Sequence, residues 1–379
     1  MTRAVPLPLA LWRAFVADRL LQILLVALLV LAVISGKSLG SYPALVDWPT
    51  IAALTGLLAL TKGLELSGAL AWLGQRLVAG MATERRAALL LVLASLLLST
   101  VLTNDVALFV VVPLTLGVCC LTGMPAARLV VFEALAVNAG SALTPIGNPQ
   151  NLFLWQLSHV SFGGFVAHML PLAAALSLAL LALTALSFKA QAIAMADATH
   201  HDKAHGKLDH RLLWVALALY IPFLLATDLH YAGWALLAVL ALMGALRPAV
   251  LGRLDWGLLL VFVLMFVDLR LVAGLAPVQS AMANLGLDNA RHLYFAGIAA
   301  SQVISNVPAA IALAAYSDDW KTLAYAVSVG GFGTAVGSLA NLIALRMVKE
   351  GRAWALFHMV ALPFLLVATG IGYALLFRA

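Results

Sequence analysis

A stretch that ought to be one apolar helix contains Thr144-Pro145-Ile146-Gly147-Asn148-Pro149-Gln150-Asn151 near its middle. Residues 126–143 before it and 152–157 after it are apolar. Pro145 and Pro149 donate no backbone hydrogen bond, and each drives the residue before it out of the α region. The helix must therefore break. At membrane depth such irregular backbone survives only when buried in protein or lining a cavity. Discontinuous helices of this kind hold substrate or ion in secondary transporters. The plain alternative is a short loop outside the membrane between two helices. The stretch alone does not choose between the two.

Composition supplies the membrane. Of 379 residues, 64% are hydrophobic and 10% charged, where a soluble domain carries about a quarter charged residues. Several apolar runs exceed the roughly 18 residues that span a bilayer, so the chain reads as an all-α polytopic membrane protein. The net charge of +6 comes from residues in short loops, which suits topology determinants rather than nucleic-acid binding. Cys119 and Cys120 are adjacent in an apolar run, so they point apart on a helix and read as packing residues. Arg3, Arg13 and Arg19 precede the apolar run 20–34. With no clear cleavage site after it, this run reads as an uncleaved first span.

An internal repeat organises the chain. Asp47-Trp48 recurs as Asp255-Trp256, and Lys62 then aligns with Arg270. Ser99-x-Val101-Leu102-Thr103-Asn104 recurs as Ser301-x-Val303-Ile304-Ser305-Asn306. Thr144-x-Ile146-Gly147-x-x-x-Asn151-Leu152 recurs as Thr334-x-Val336-Gly337-x-x-x-Asn341-Leu342, and Gly140 matches Gly330. Chance likeness between apolar helices would preserve leucines rather than Asn, Thr and Gly.

We read residues 1–188 as a first inverted-topology repeat, with a re-entrant hairpin at 86–121 and a broken helix at 125–157. The hairpin arms are read as about 13 to 16 residues, roughly 20–24 Å, too short to span comfortably. Residues 189–230 form a polar cytoplasmic loop and a linking span. Residues 231–379 form the second repeat, with a hairpin at 289–317 and a broken helix at 323–347. About nine transmembrane spans result, with the N-terminus inside. Sixteen Lys and Arg then fall inside and five outside, as the positive-inside rule asks.

The polar residues of the tips and breaks are the candidate site. Thr103, Asn104, Thr144, Pro145, Gly147, Asn148 and Asn151 form a first cluster; Ser305, Asn306, Thr334, Gly337, Ser338 and Asn341 form a second. Tip one is expected to meet break one, and tip two break two. Helix N-termini at breaks favour anions, while freed carbonyls and Asn or Thr oxygens suit Na⁺. Na⁺ is expected at Asn104, Thr144 and Asn148, and at Asn306 and Thr334. The competing reading is that these side chains only cap broken helices.

Asp105, beside the first tip, is a cation ligand, a proton carrier or a water-facing helix cap. An acid at that depth is costly and usually functional. Glu133 lies in an apolar run with Arg128 nearby in sequence, and reads equally as structural or functional. Lys62 and Arg270 either snorkel to the interfaces or attract an anion. His200, His201, His205 and His210 share a loop with Asp202 and Asp209, spaced loosely for a metal.

At Leu102-Thr103-Asn104-Asp105, Thr144-Pro145-Ile146-Gly147-Asn148-Pro149-Gln150-Asn151 and Ser305-Asn306-Val307-Pro308, the chain resembles the ion-transporter superfamily. That superfamily comprises arsenite permeases, Na⁺/H⁺ antiporters of the ArsB–NhaD type, citrate transporters and divalent anion:sodium symporters. The resemblance implies an Asn-containing tip and a broken helix around ion and substrate, carried by Asn104 with Thr144 and Asn148, and by Asn306 with Thr334. The tips depart from the S-N-T of the symporters, reading Thr103-Asn104-Asp105 and Ser305-Asn306-Val307, and Ala335 stands where the first break has Pro145.

The function expected is secondary transport of a small anion, a carboxylate or inorganic oxyanion, across a bacterial-type inner membrane and coupled to Na⁺ or H⁺. A Na⁺/H⁺ antiporter is the alternative, and a passive channel or membrane enzyme stands further off. No Walker or H-E-x-x-H motif is present. The chain reads as a non-enzyme without cofactor. Its expected partners are the anion, the lipid bilayer and a second copy in a homodimer, with no nucleic acid.

Overall fold

The structure, a computed structural model, describes residues 19–70, 72–73, 81–193, 208–348 and 350–378. Among these residues the elements are helical: α1 Arg19–Ser35, α2 Trp48–Leu66, α3 Glu84–Val101, α4 Asn104–Thr122, α5 Ala126–Ser141, α6 Pro149–Ser158, α7 Phe162–Ser187, α8 His210–Asp228, α9 Ala232–Leu246, α10 Ala249–Gly252, α11 Trp256–Ala273, α12 Ala276–Asn284, α13 Ala290–Ile304, α14 Asn306–Leu313, α15 Trp320–Gly330, α16 Leu339–Val348 and α17 Gly351–Phe377, with 3₁₀ turns at Leu39–Leu45 and Ala335–Gly337. Helices α7, α8, α11 and α17 are each long and apolar enough to cross a membrane, and α1 with the following turn makes up to five spans. The chain is an all-α polytopic membrane protein. His200, His201, Asp202 and His205 lie outside the described residues. Asp209 caps α8, its Oδ1 accepting from Leu212 N–H at 3.0 Å.

The chain divides into two compact units, each drawing on both halves of the sequence. One unit holds α1, α2, α8–α12 and residues 311–318. Here α2 packs against α8 and α9, and α11 against α1 and α2. The repeated Asp-Trp pair is one helix start built twice. Asp47 Oδ1 accepts from Thr50 N–H at 3.0 Å and Asp255 Oδ1 from Leu258 N–H at 2.9 Å, the N-cap bond that satisfies an orphan donor. The following indoles each reach back five residues, Trp48 to Pro43 O at 2.9 Å and Trp256 to Leu251 O at 3.2 Å. The two membrane cations are engaged within this unit. Lys62 pairs with Glu65; Arg270 donates to Leu45 O at 2.9 Å and lies 3.8 Å from Asp47 Oδ2. Asp268 on α11 is buried, and both its oxygens lack a hydrogen-bond donor.

The other unit holds α3–α7, the start of α14, α13 and α15–α17. Its centre is α5, buried at every residue from Leu129 to Ser141 and packed against α3, α4, α7, α16 and α17. The first hairpin is longer than its sequence suggested. Helices α3 and α4 have 18 and 19 residues, about 27–28 Å each at 1.5 Å per residue, so the short-arm argument fails for it. Glu84 and Arg85 precede the expected hairpin start at 86, yet with Arg86 they form the first turn of α3. Thr83 caps that turn through Arg86 N–H, and Arg85 Nε reaches Phe188 O at 2.9 Å. In the second hairpin α13 and α14 have 15 and 8 residues.

Both breaks fall where proline and glycine demanded. Helix α5 stops at Ser141 and α6 starts at Pro149; α15 stops at Gly330 and α16 starts at Leu339. Helix α15 begins three residues before the expected 323 because Asp319 caps it through Thr322 N–H at 3.1 Å.

Candidate substrate and ion site

A helix that stops inside a protein leaves its last carbonyls without partners. At the first break, side-chain amides take them. Asn151 Nδ2 donates to Ser141 O at 3.2 Å, Ala142 O at 3.1 Å and Thr144 O at 3.2 Å. Asn148 starts α6: its Oδ1 accepts from Asn151 N–H at 2.8 Å, and its Nδ2 donates to Ser141 O and Oγ at 3.1 Å each. The break is tied to the hairpin tip by Thr144 Oγ1 donating to Thr100 O at 2.7 Å and by Asn104 N–H donating to Gly147 O at 2.8 Å. Pro145 and Gly147 are buried between them. A Cβ on Gly147 would stand 2.4 Å from Ser141 O.

The second break repeats the Thr and Asn bonds, though not those of Asn148, whose mate Ser338 has a buried Oγ without a partner. Thr334 Oγ1 donates to Gln302 O at 3.0 Å, and Gln302 is the repeat mate of Thr100. Asn341 Nδ2 donates to Gly331 O at 2.9 Å and Thr334 O at 3.3 Å, as Asn151 does to Ser141 and Thr144. Gly337 N–H closes onto Thr334 Oγ1 at 3.2 Å. The Gln302 side chain adds a clamp, donating to Gly330 O at 2.7 Å and accepting from Thr334 N–H at 2.8 Å. The tips differ in backbone. Thr103 is extended at φ −64°, whereas Ser305 sits at φ +76°, ψ 156°, a region nearly reserved for glycine that costs about 1–3 kcal/mol.

The breaks are joined by Asn138 on α5, whose Nδ2 donates to Asn341 Oδ1 at 2.8 Å and Gly331 O at 3.4 Å. Its repeat mate is Ser328, whose Oγ is buried without a partner; so is Asn151 Oδ1, the mate of the Asn341 oxygen that Asn138 satisfies. Serine is shorter than asparagine, so the bridge exists once, not twice. Gln150 Oε1 and Ser338 Oγ are also buried and open. Thus the structure brings together the expected tip and break residues and uses much of their hydrogen-bonding capacity to close the breaks. Asn138, Gln302, Ser328 and Gln150 are additions that the sequence reading passed over.

Asp105 lies in the first turn of α4, half-buried, with its N–H on Asn104 Oδ1 at 3.0 Å. The positive end of the helix dipole favours an acid there. Glu133 is fully buried on α5, and Thr115 of α4 donates to its Oε1. Arg128 is not its partner. Its guanidinium donates to Ser187 O and stacks 4.8 Å from the centroid of Phe188. Cys119 and Cys120 are free thiols, one buried and one exposed. Among the described residues no three His, Cys, Asp or Glu side chains gather for a metal.

The starts of α6 and α16 lie beside the open oxygens of Gln150, Asn151 and Ser338. Comparison with known proteins gives the lineage. Residues 9–330 match the family model described as citrate transporter. The chain belongs to the citrate-transporter family. It is similar to inner membrane protein YbiR of Escherichia coli, 46% identical over 96% of this chain and 97% of that one. It is also similar to the uncharacterized transporter MJ0456 of Methanocaldococcus jannaschii, 30% identical over 88% and 91%. Magnetosome protein MamN of Magnetospirillum gryphiswaldense is 28% identical over 81% and 70%. Family and fold together make this chain a membrane transporter.

Proposed function

We propose that this family member is a secondary active transporter of a small anion, a carboxylate or an inorganic oxyanion, coupled to Na⁺ or H⁺ and working by alternating access in the inner membrane. The observation that carries the reading is the twofold bonding pattern. Two helix breaks are closed by the same Thr and Asn hydrogen bonds, each held against its own hairpin tip. A channel needs no such pair, whereas alternating access uses two related halves. The anion is read to meet the N–H groups at the starts of α6 and α16. Na⁺, where it couples, would draw on Asn104 and Asn306 together with oxygens at Thr144, Asn148 and Thr334. Asp105, beside the first tip, is what favours the Na⁺/H⁺ antiporter as second reading. The test is uptake into proteoliposomes of a panel of carboxylates and oxyanions, with Na⁺ and pH gradients imposed separately. Accumulation of an anion only under a gradient is the expected result. Gradient-independent equilibration would leave a channel, and cation exchange without anion uptake the antiporter.

The same reading keeps two inverted repeats and nine spans, with the N-terminus in the cytoplasm. A single cysteine placed at Lys203, outside the described residues, should then react with a membrane-impermeant maleimide only from the cytoplasmic side. Labelling from the periplasmic side alone would overturn this topology.

A further inference from the structure

Glu133 is 0% exposed on the most buried helix of its unit, in a segment of apolar neighbours. One carboxyl oxygen, Oε1, accepts from the Thr115 hydroxyl; the other, Oε2, is buried with no donor. Among the described residues, the helices packed against α5 bring no compensating charge to this carboxyl. From α4 come Thr115 and Cys119, a neutral hydroxyl and a thiol that lies within electrostatic reach. The ionisable groups of α3 are Glu84, Arg85 and Arg86 in its first turn, with Arg85 bound to Phe188 O. Helix α7 offers His168, which faces Lys321 O. Helix α16 offers Arg346 and α17 offers Arg352, both exposed, and α17 also offers His358, whose nitrogens meet Ala335 N–H and Trp354 O. On α5 itself Arg128 is turned to Ser187 and Phe188. Among the described residues Thr115 is the one hydrogen-bond partner of this carboxyl, and no Lys, Arg or His pairs with it.

An ionised carboxylate removed from water costs several kcal/mol unless a cation or several donors compensate it. One hydroxyl does not. A proton on Oε2 removes the uncompensated buried charge, and Oε1 stays the acceptor for Thr115. Five residues further along the same helix stands Asn138, which joins the two breaks. We propose that Glu133 is the proton-binding group of this transporter, loaded on Oε2, on the helix whose end forms the first break. This rests on the transporter reading and names H⁺ as a coupling ion.

Infrared spectroscopy of the reconstituted full chain tests it without knowledge of the anion. A protonated-carboxyl C=O band should be present and lost reversibly as pH rises. It should be unchanged when choline replaces Na⁺, and absent in Glu133→Gln. Thr115→Val retains the acid and removes its donor, so the band should move to higher frequency; this assigns it even if Glu133→Gln fails to fold. Asp268→Asn accounts for the other buried acid. A band unaltered by both Glu133→Gln and Thr115→Val overturns the proposal, as does one that Na⁺ abolishes. In uptake assays, Glu133→Gln should reduce pH-gradient-driven accumulation to the level seen without a gradient. If the band behaves as expected and no anion accumulates in the parent, the anion reading fails while the proton site stands.

Discussion

Replacing Gly140 with alanine should unfold the first break. An alanine Cβ at this position would lie 2.1 Å from Leu96 O, 2.8 Å from Leu96 C and 2.5 Å from Ser99 Oγ. The nearest obstacles are backbone atoms of α3, which cannot swing aside as a side-chain tip would. Extra methyl groups in packed cores cost about 1–3 kcal/mol, and more where nothing yields. We therefore expect a loss of about 3 kcal/mol or more, read as a sharply lower melting midpoint in detergent or as failure to purify as a monodisperse peak. At Gly330, in the second repeat, an added Cβ meets the Ser301 side chain instead, with Cβ and Oγ each at 2.5 Å and Gly297 O at 3.4 Å. Gly163→Ala is the control, since nothing lies within 4 Å of its Cβ. It should be neutral or slightly stabilising. Equal melting of Gly140→Ala and Gly163→Ala would show that α3 and α5 do not approach as described.

The breaks were legible because proline and glycine act on their own backbone, and that effect needs no tertiary context. The repeat was legible for a related reason. Thr144 and Thr334, like Asn151 and Asn341, make the same bonds, so the same residue types are needed twice. Gln302 escaped notice because its mate Thr100 supplies a backbone carbonyl at that point, and any residue supplies one. Asn138 looked like one polar residue in an apolar run, and its mate is a serine that makes no equivalent bridge. Arg128 seemed close to Glu133, but residues five apart on a helix do not share a face. The expected start of the hairpin at 86 left out Glu84 and Arg85, because Thr83 capping and the reach of Arg85 to Phe188, which build the first turn of α3, depend on tertiary context.

The asparagines of the tips and those of the breaks should part company under mutation. Asn151 and Asn341 hold the carbonyls of interrupted helices, three for Asn151 and two for Asn341, and both residues are fully buried. Each buried acceptor left unsatisfied costs about 1–3 kcal/mol. Asn151→Ala and Asn341→Ala should therefore lower stability by about 3 kcal/mol and lose transport together with folded protein. Asn104 and Asn306 are nearly as buried, at 4% and 2% exposure, yet their bonding is local: Asn104 Oδ1 accepts from its neighbour Asp105 N–H, and Asn306 Oδ1 from Ser305 Oγ at 3.4 Å. Among the described residues neither amide nitrogen donates to the orphan carbonyls that keep a break closed. The bond that ties the first tip to its break comes from the Asn104 backbone N–H, which alanine retains. Asn104→Ala and Asn306→Ala should thus melt within about 1 kcal/mol of the parent, the cost of a lost cap, while gradient-driven uptake disappears. Melting and uptake measured on the same four preparations decide the matter. Undiminished uptake in both tip variants would reduce the tips to helix caps and move the site to the oxygens of Gln150, Asn151, Ser328 and Ser338, which the fold leaves open.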